Sequence, residues 1–151
     1  MANTFSRINL HVVFAVKHRD AMLDYTWRNE LYHYIGAIIK NYGHIPLAIG
    51  GFADHVHILI GCKPTVHIPT LVKDIKLAAN KWIQPKHKCR FGWQEGYGVF
   101  SISSSHVDAL VRYIGSQEDH HRTESMQEEF KRFLRLNGVD YDERYLFQEP
   151  E

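Results

Sequence analysis

Two histidines separated by one residue are the first candidates for chemistry. The segment Asp54-His55-Val56-His57-Ile58-Leu59-Ile60 is rich in apolar and β-branched residues, which predicts a strand. Side chains alternate between the faces of a strand, so His55 and His57 project to the same side. Two such imidazoles can bind one divalent cation, at about 2.0–2.2 Å from each nitrogen. The spacing alone leaves a metal site and a half-buried polar pair about equally open.

Tyr113 and Gln117 form the second candidate pair. They are four residues apart in a segment predicted to be helical, which puts them on one face, one turn apart. Glutamine is a neutral ligand, so together with two neutral histidines it would leave Mg²⁺ or Mn²⁺ its full charge to polarise a phosphoryl oxygen. A tyrosine hydroxyl, with an ordinary pKa of about 10, attacks only an activated electrophile or with the help of a base. Taken alone, this spacing still favours a core tyrosine and a solvated glutamine.

The elements that must hold these side chains are visible as periodic patterns. Four runs rich in β-branched and apolar residues predict strands at 8–16, 46–51, 54–62 and 98–103, with a tight Gly-Gly-containing turn between the second and third. Asp24 caps a first helix that Gly43 closes, and a second helix begins near Pro69. The predicted buried stripes are Trp27, Leu31, Tyr34, Ile35, Ile38 and Tyr42 in the first helix and Leu71, Val72, Ile75, Ala79, Trp82 and Ile83 in the second.

Two further helices follow the fourth predicted strand. Ser104 or Ser105 caps one that runs through Tyr113, and the capping-box pattern Ser125-x-x-Glu128 starts a last helix that ends at Gly138. The order strand, helix, strand, strand, helix, strand predicts an α+β fold of the ferredoxin-like type, with an antiparallel sheet and two helices on one face. The other face is left to the tyrosine-bearing helix or to a ligand. Because this fold serves many functions, function has to be inferred from the site.

Composition indicates a single globular domain. A chain of 151 residues can bury one sizeable core but not two, and 44% hydrophobic and 23% charged residues are ordinary fractions. No uninterrupted apolar stretch is long enough to span a bilayer. Cys62 and Cys89 have no CxxC spacing, which argues against a disulfide framework or a zinc knuckle and fits a reducing cytoplasm.

The formal net charge of +1 conceals a division along the chain. Residues 63–90, which we call the basic segment, contain seven lysine or arginine residues and one acidic residue. From Gln117 onward, ten acidic residues face five basic ones. A basic segment suits a phosphate backbone, although helix surfaces are commonly charged. Charge alone therefore leaves a nucleic-acid partner open.

Several motifs together resemble one known family. His55-Val56-His57 resembles the HUH motif (histidine, hydrophobic, histidine) of single-strand DNA endonucleases. Tyr113-Ile114-Gly115-Ser116-Gln117, followed by His120-His121, is similar to the tyrosine helix of the single-tyrosine, IS200-like transposases of minimal "peel-and-paste" bacterial insertion sequences. Residues 11–14, 93–101 and 141–146 resemble other segments of the same family, in the same order. The resemblance implies one HUH domain over 1–151, with a catalytic core at about 5–137 and a C-terminal extension at 138–151.

The resemblance implies a reaction. Tyr113 would attack a phosphodiester of single-stranded DNA, giving a 5′-phosphotyrosine link and a free 3′-hydroxyl, so that strands can be rejoined without ATP. His55, His57 and Gln117 would hold the Mg²⁺ or Mn²⁺ that orients the scissile phosphate. Asp54 and His11 are candidates for the second shell of the metal, although a structural role is the simpler interpretation of each.

The resemblance also implies partners. The family forms homodimers whose sites combine the histidines of one chain with the tyrosine helix of the other, and it recognises DNA hairpins at the ends of the element. We therefore expect a bacterial cytoplasmic protein that associates with the nucleoid when it acts. The candidates for contacts to the hairpin backbone are Lys73, Lys76, Lys81, Lys86 and Lys88.

Some positions carry no clear assignment. Ser116 replaces an asparagine common in the family, but it does not change the spacing of Tyr113 and Gln117. Gly115 costs about 1 kcal/mol relative to alanine inside a helix, which fits either a bend near the site or a tolerated packing glycine. His120 and His121 follow the family pattern, and a solvent-facing or DNA-contacting pair is favoured over metal ligation.

Two alternatives remain beside a mobile-element transposase. One is a domesticated relative or nickase that applies the same chemistry to repeated genomic hairpins. The other is a non-catalytic protein that binds DNA hairpins and retains the fold. An unrelated metal phosphoesterase is disfavoured, because the proposed ligand set is poor in carboxylates.

Overall fold

The computed structural model describes residues 3–151, which contain one four-stranded antiparallel sheet. The strands are β1 (Ile8–Ala15), β2 (Ile45–Phe52), β3 (His55–Cys62) and β4 (Gly98–Ile102), in the spatial order β2-β3-β1-β4. Helix α1 (Arg28–Asn41) connects β1 to β2, and helix α2 (Ile68–Ile83) connects β3 to β4. This is the ferredoxin-like α+β arrangement that the order of elements predicts.

One face of the sheet packs against α1 and α2. The register pairs Val12 with Ile58 and Phe14 with Val56, so these four side chains share that face. Each is at most 1% exposed, and they belong to one apolar cluster with buried residues of both helices. Burying one such side chain contributes about 1.5–3 kcal/mol. This cluster is the main core of the protein.

The opposite face is covered by three later helices, α3 (Val107–Gly115), α4 (Gln117–His120) and α5 (Met126–Leu136). Leu110 and Ile114 of α3 pack on Leu59 of β3 in a separate apolar cluster. Gly50 allows this close approach, because a Cβ there would lie 2.5 Å from the Ile114 carbonyl oxygen. The sheet is therefore the middle of three layers, and α3 lies on the face that the sequence leaves open for it.

The first helix differs in two ways from its prediction. It begins at Arg28, because the Asp24 carboxylate accepts hydrogen bonds from Thr26 and forms a turn before the helix. Its buried stripe contains Ile39, which the prediction omitted, while the included Tyr34 and Tyr42 are 37% and 45% exposed. A tyrosine is amphipathic and fits both the buried and the exposed face of a helix, so hydropathy alone does not predict on which face it lies.

The Gly-Gly pair does not form the turn between the second and third strands. Gly50 and Gly51 lie within β2, and the hairpin turn is made by Ala53 and Asp54. The physical reason is packing, since Gly50 is needed as a strand residue where α3 approaches the sheet. A long-range contact of this kind leaves no local signal in the sequence.

The C-terminal helices agree better with their patterns. A short 3₁₀ turn at Ser104–His106 precedes α3, so neither predicted serine caps the helix with its side chain. Ser125 accepts a hydrogen bond from the Glu128 backbone N–H, as the capping box predicts, and α5 ends at Leu136, just before Gly138. Within residues 3–151, no helix is both long and apolar enough to cross a membrane.

Candidate active site

The two strand histidines point to the face covered by α3, α4 and α5. His55 and His57 are both 0% exposed, and the alternation along β3 puts them on the side opposite Val56 and Ile58. Their rings are perpendicular, with centroids 5.0 Å apart. The strand therefore presents two neighbouring imidazoles to one small volume.

Gln117 meets these histidines from α4. Its Oε1 accepts hydrogen bonds from His55 Nε2 at 2.9 Å and from His121 Nε2 at 3.1 Å. The glutamine side chain is buried, which the isolated spacing of Tyr113 and Gln117 did not favour. The structure thus brings His55, His57 and Gln117 together. It also places His121 beside them, although the sequence predicts a solvent-facing or DNA-contacting position for this residue.

Glu129 of α5 lies at the centre of this group and was not anticipated. Its Oε1 accepts from His57 Nε2 at 2.7 Å and lies 3.3 Å from His55 Nε2. Its Oε2 accepts from Gln117 Nε2 at 3.0 Å and lies 3.3 Å from His121 Nε2. One feature of the sequence points to Glu129. It is an acidic residue in the apolar stripe of its helix, beside Met126 and the phenylalanines of α5, where a charged side chain needs a buried partner.

Asp54 and His11 hold the outer nitrogens of the two histidines. Asp54 Oδ1 accepts from His55 Nδ1 at 2.7 Å, and His11 Nε2 shares a 2.7 Å hydrogen bond with His57 Nδ1. Such contacts fix the ring orientation and direct each Nε2 toward the site. Burial and the neighbouring His57 lower the pKa of His11 to about 3, so this residue is neutral. Asp54 and His11 therefore each contact a histidine at the ring nitrogen that faces away from Glu129.

The charges of the group are strongly coupled. Burial alone would lower the pKa of His55, but the carboxylates of Asp54 and Glu129 outweigh it and raise that pKa to about 9. Burial would raise the pKa of Glu129, but the hydrogen bonds from His121, His55 and His57 hold it far below its usual range. Glu129 is therefore an anion that is neutralised by a protonated imidazole.

These donors fit a divalent cation. Ligand atoms of His55, His121 and Glu129 all lie within 4.8 Å of one another, and the oxygen of Gln117 and Nε2 of His57 face the same volume. Imidazole nitrogens with amide and carboxylate oxygens are ordinary ligands for such ions. A bound cation would take the place of the protons that His55 Nε2 and His57 Nε2 now direct at Gln117 and Glu129.

Tyr113 of α3 adjoins the group through its hydroxyl. The hydroxyl donates to Glu129 Oε2 and accepts a hydrogen bond from Arg132 Nη2 at 2.7 Å. The ring contacts His57 edge-on and lies 4.2 Å from the His120 ring, centroid to centroid. Burial and the hydrogen bond to Glu129 raise the pKa of Tyr113 above its ordinary value. All these residues belong to one chain.

The predicted DNA-contact lysines lie elsewhere. Lys73, Lys81, Lys86 and Lys88 are exposed residues on or after α2, which packs on the opposite face of the sheet. Lys76 is engaged within the protein, because its Nζ donates to the carbonyl oxygens of Gln94 at 3.1 Å and Gly96 at 2.6 Å. Burial lowers the pKa of its ammonium group to about 8. The lysines of α2 are thus separated from Tyr113 by the sheet.

Comparisons with known proteins give a consistent result. The family model described as "Transposase IS200 like" matches residues 4–117. The chain is 27% identical over 120 residues to the ISDra2 transposase TnpA of Deinococcus radiodurans, covering 75% of this chain and 86% of that protein. Glu129 and Arg132 lie beyond the segment that the family model matches.

Two solved structures share the fold. A transposase from Deinococcus radiodurans R1 superposes with a TM-score of 0.59 at 24% identity, covering 78% of this chain and 95% of that chain. A REP-associated tyrosine transposase bound to a REP hairpin also gives a TM-score of 0.59, at 15% identity, covering 80% of this chain and 73% of that chain. Since the family model spans more than half of the sequence, the chain belongs to the IS200-like transposase family.

Proposed function

We propose that this protein is a DNA transposase that cleaves and rejoins single-stranded DNA through a covalent bond to Tyr113. The observation that carries the proposal is the position of the Tyr113 hydroxyl. It donates to Glu129, the same carboxylate that accepts from His57 and adjoins His55. A candidate nucleophile and a set of candidate metal ligands therefore meet at one group, as phosphoryl transfer requires.

The metal ligands in this proposal are His55, His57 and Gln117, with Glu129 and His121 close enough to complete the set. When bound, Mg²⁺ or Mn²⁺ supplies positive charge that polarises a phosphoryl oxygen. Asp54 orients the ring of His55, and burial of the group excludes water from the ligands.

The cleavage step transfers the phosphoryl group from one oxygen to another. The Tyr113 oxygen forms a bond to phosphorus while the bond from phosphorus to the 3′ oxygen breaks. Glu129 accepts the hydrogen bond of the hydroxyl and so orients it, while the phenolic proton passes to water and the leaving 3′ oxygen takes one proton back from water. The energy of the broken ester is kept in the 5′-phosphotyrosine bond, so a 3′-hydroxyl can reverse the step and join a new strand.

We also propose that the protein recognises hairpins at the ends of its DNA substrate. A relative of the same fold is described as bound to a REP hairpin. Lys73, Lys81, Lys86 and Lys88 are exposed and can contact phosphates without reading bases. The ammonium group of Lys76 already has two acceptors, so a phosphate would have to displace them.

The proposed assembly is a homodimer in which two chains exchange their tyrosine helices. Polar residues precede α3, at 103–106, and follow α4, at 121–125, and they connect the tyrosine helix to the rest of the chain. An exchanged α3 can make the same contacts with the partner as it makes here with its own β2 and β3. Tyr113 and Gln117 would move together, because they lie on consecutive helices.

A second candidate function uses the same chemistry on repeated genomic hairpins, in a domesticated nickase. The likeness to a REP-associated transposase favours this candidate. The sequence flanking the gene separates the two functions: imperfect palindromes bordering the gene itself indicate a mobile element, whereas related palindromes scattered elsewhere in the genome indicate a domesticated enzyme.

The test of the proposed chemistry is covalent trapping. Single-stranded DNA carrying the flanking palindromes is labelled at its 3′ end, since the protein should remain on the 5′ phosphate of the downstream fragment. Wild-type protein with Mn²⁺ should yield a labelled adduct in denaturing gels, and Tyr113→Phe should yield none while binding the DNA normally. An adduct formed by the phenylalanine variant would assign the nucleophile to another residue.

A further inference from the structure

Arg132 of α5 is bonded to the proposed nucleophile but has no part in the chemistry described so far. Its Nη2 donates to the Tyr113 hydroxyl at 2.7 Å. Nε and Nη2 also donate to the two carboxylate oxygens of Glu124, each at 3.0 Å. The side chains of Arg132 and Glu124 are 37% and 22% exposed, so the pair lies where the buried site opens to solvent.

The guanidinium group retains free donors. An arginine side chain has five N–H bonds in a fixed plane. Nε and Nη2 are directed to Glu124 and Tyr113, and within residues 3–151 Nη1 makes no hydrogen bond. The group also lies over the rings of Tyr113 and Phe133, at 5.5 Å and 5.2 Å from their centroids. Its orientation is therefore fixed from two sides, while one nitrogen is available to a ligand.

We propose that Arg132, oriented by Glu124, binds the phosphodiester that Tyr113 attacks. This inference rests on the proposed function and adds a second cationic group, one that is bonded directly to the tyrosine hydroxyl. At attack, phosphorus must lie within about 3–3.5 Å of the Tyr113 oxygen. The non-bridging oxygens of that phosphate then come within reach of a guanidinium group that is already bonded to the same oxygen.

The Tyr113 hydroxyl contacts two groups of opposite charge. It donates to Glu129, which adjoins the metal-ligand candidates, and it accepts from Arg132, which is paired with Glu124. Arg132 neither gives nor takes a proton, and it breaks no bond. Its charge offsets the charge that accumulates on the non-bridging oxygens, and it stabilises the phenolate that leaves when the strand is rejoined. Cleavage and rejoining would both depend on it.

A purely structural role explains the arrangement less well. A partly exposed ion pair such as Arg132–Glu124 contributes little to stability. The neighbouring Arg135 is exposed on the same helix and forms no salt bridge within the described residues. Arg135→Ala is therefore the matched control for Arg132→Ala, with the same change of charge on the same element.

The decisive experiment varies the charge of the phosphate. Adduct formation is measured under single-turnover conditions on DNA with an ordinary scissile phosphodiester and on DNA with a neutral methylphosphonate there. On the diester, Arg132→Ala should be slower than wild type by about 10²–10³-fold, as for the loss of one oxyanion donor. On the methylphosphonate the difference should largely disappear, and Arg135→Ala should resemble wild type on both. Equal losses on both substrates would overturn the proposal.

Two further measurements keep the inference separate from folding and from the proposed function. Should Arg132→Ala fail to fold, Glu124→Gln is the second variant. It keeps the arginine but weakens its orientation, so a smaller loss, again confined to the diester, is expected. Inorganic phosphate at constant ionic strength should raise the unfolding temperature of wild type and Arg135→Ala more than that of Arg132→Ala. If wild type forms no adduct but this phosphate effect requires Arg132, the proposed function fails and the phosphate site stands. An effect independent of Arg132 would overturn the site.

Discussion

At the scale of single residues, Glu129 determines the charge of the site. His57 and Gln117 are neutral ligands, so a divalent cation bound by them alone would keep its full charge. The carboxylate of Glu129 lies among them, 2.7 Å from His57 Nε2, and would reduce that charge by one. Imidazole ligands suit transition metals, and carboxylate and amide oxygens suit Mg²⁺ and Mn²⁺. We therefore expect a mixed set of this kind to bind Mn²⁺ more tightly than Mg²⁺.

The first prediction concerns metal binding by the histidines. His57→Ala should abolish Mn²⁺ binding in calorimetry and cleavage in the adduct assay, whereas Gln117→Ala should be milder because water can replace a neutral oxygen ligand. His33→Ala, an exposed histidine of α1, is the control. Chelation should stop cleavage by the wild type, and added Mn²⁺ should restore it. Undiminished cleavage in excess chelator would exclude a metal-dependent mechanism.

The second prediction separates two roles of Glu129. Glu129→Gln keeps the shape of the side chain and removes its charge. We expect the carboxylate to be a ligand. Its replacement should then lower the affinity for Mn²⁺ by about 10–100-fold or more, the range typical of losing a group that supports a ligand. Electron paramagnetic resonance of bound Mn²⁺ measures this without any dependence on activity. Tighter binding by the variant would show that the carboxylate competes with the metal for the histidines.

Residues of this site differ in how far the sequence predicts them. His55 and His57 are predicted to lie on the same face because side chains alternate along a strand. This rule depends only on local sequence, and the structure confirms it. Glu129 meets the histidines only because α5 folds back across the sheet, and its position in an apolar stripe is a weak signal. Arg132 has no signal of its own, since an arginine of an amphipathic helix is usually solvated.

At the scale of elements, the approach of α3 to β2 sets the position of Tyr113. The backbone of α3 at Ile114 comes so close to Gly50 that no side chain fits between them. The order of strands and helices is predictable because each element has its own periodicity. The packing distance between α3 and the sheet is not predictable from the sequence. For that reason the sequence predicts a turn at the Gly-Gly pair, where the structure has a strand.

The third prediction tests this packing. Gly50→Ala should push α3 away from the sheet, because its Cβ would lie 2.5 Å from a backbone oxygen. We expect a destabilisation of about 1–3 kcal/mol in denaturant unfolding, together with loss of adduct formation. Gly61→Ala on β3 is the control, since a Cβ there meets nothing closer than 3.6 Å. Full activity of Gly50→Ala would mean that the position of α3 is not critical.

The fourth prediction distinguishes the lysines of α2. Lys81→Met should weaken hairpin binding about equally for different sequences and reduce the salt slope by about 1. Lys76→Met should instead act on stability, because the ammonium group of Lys76 is bonded within the protein. A salt slope unchanged by Lys81→Met would place the DNA on another surface.

The pH dependence of stability gives a separate check on Lys76. Burial lowers its pKa to about 8 in the folded protein, below the 10.5 of an exposed lysine. Between pH 8 and pH 10.5 the unfolded chain therefore holds more protons, so this residue makes stability rise with pH in that window. Lys76→Met should remove that rise, measured as the difference in unfolding temperature between pH 8 and pH 10, and Lys81→Met should not.

At the scale of the whole molecule, the lysines of α2 and the helices α4 and α5 lie on opposite faces of the sheet. Helix α2 belongs to the basic segment and packs with α1, whereas α4 and α5 belong to the acidic C-terminal part and lie near Tyr113. A hairpin held by the lysines of α2 is therefore separated from the tyrosine of the same chain by the thickness of the sheet. In a dimer, DNA bound by one chain can reach a site to which both chains contribute.

The last prediction tests whether the two chains share their sites. Tyr113→Phe and His57→Ala are each expected to be inactive, and the two proteins are mixed in equal amounts under conditions in which subunits exchange. With exchanged tyrosine helices, each mixed dimer has one site with intact histidines from the first variant and an intact tyrosine from the second. Random reassortment makes half of the dimers mixed, so adduct formation should recover to about a quarter of the wild-type level. When each chain completes its own site, as the contacts within one chain also allow, every site carries one lesion and no adduct forms. Absence of recovery, with exchange verified by differently tagged subunits, would show that Tyr113 acts on the histidines of its own chain.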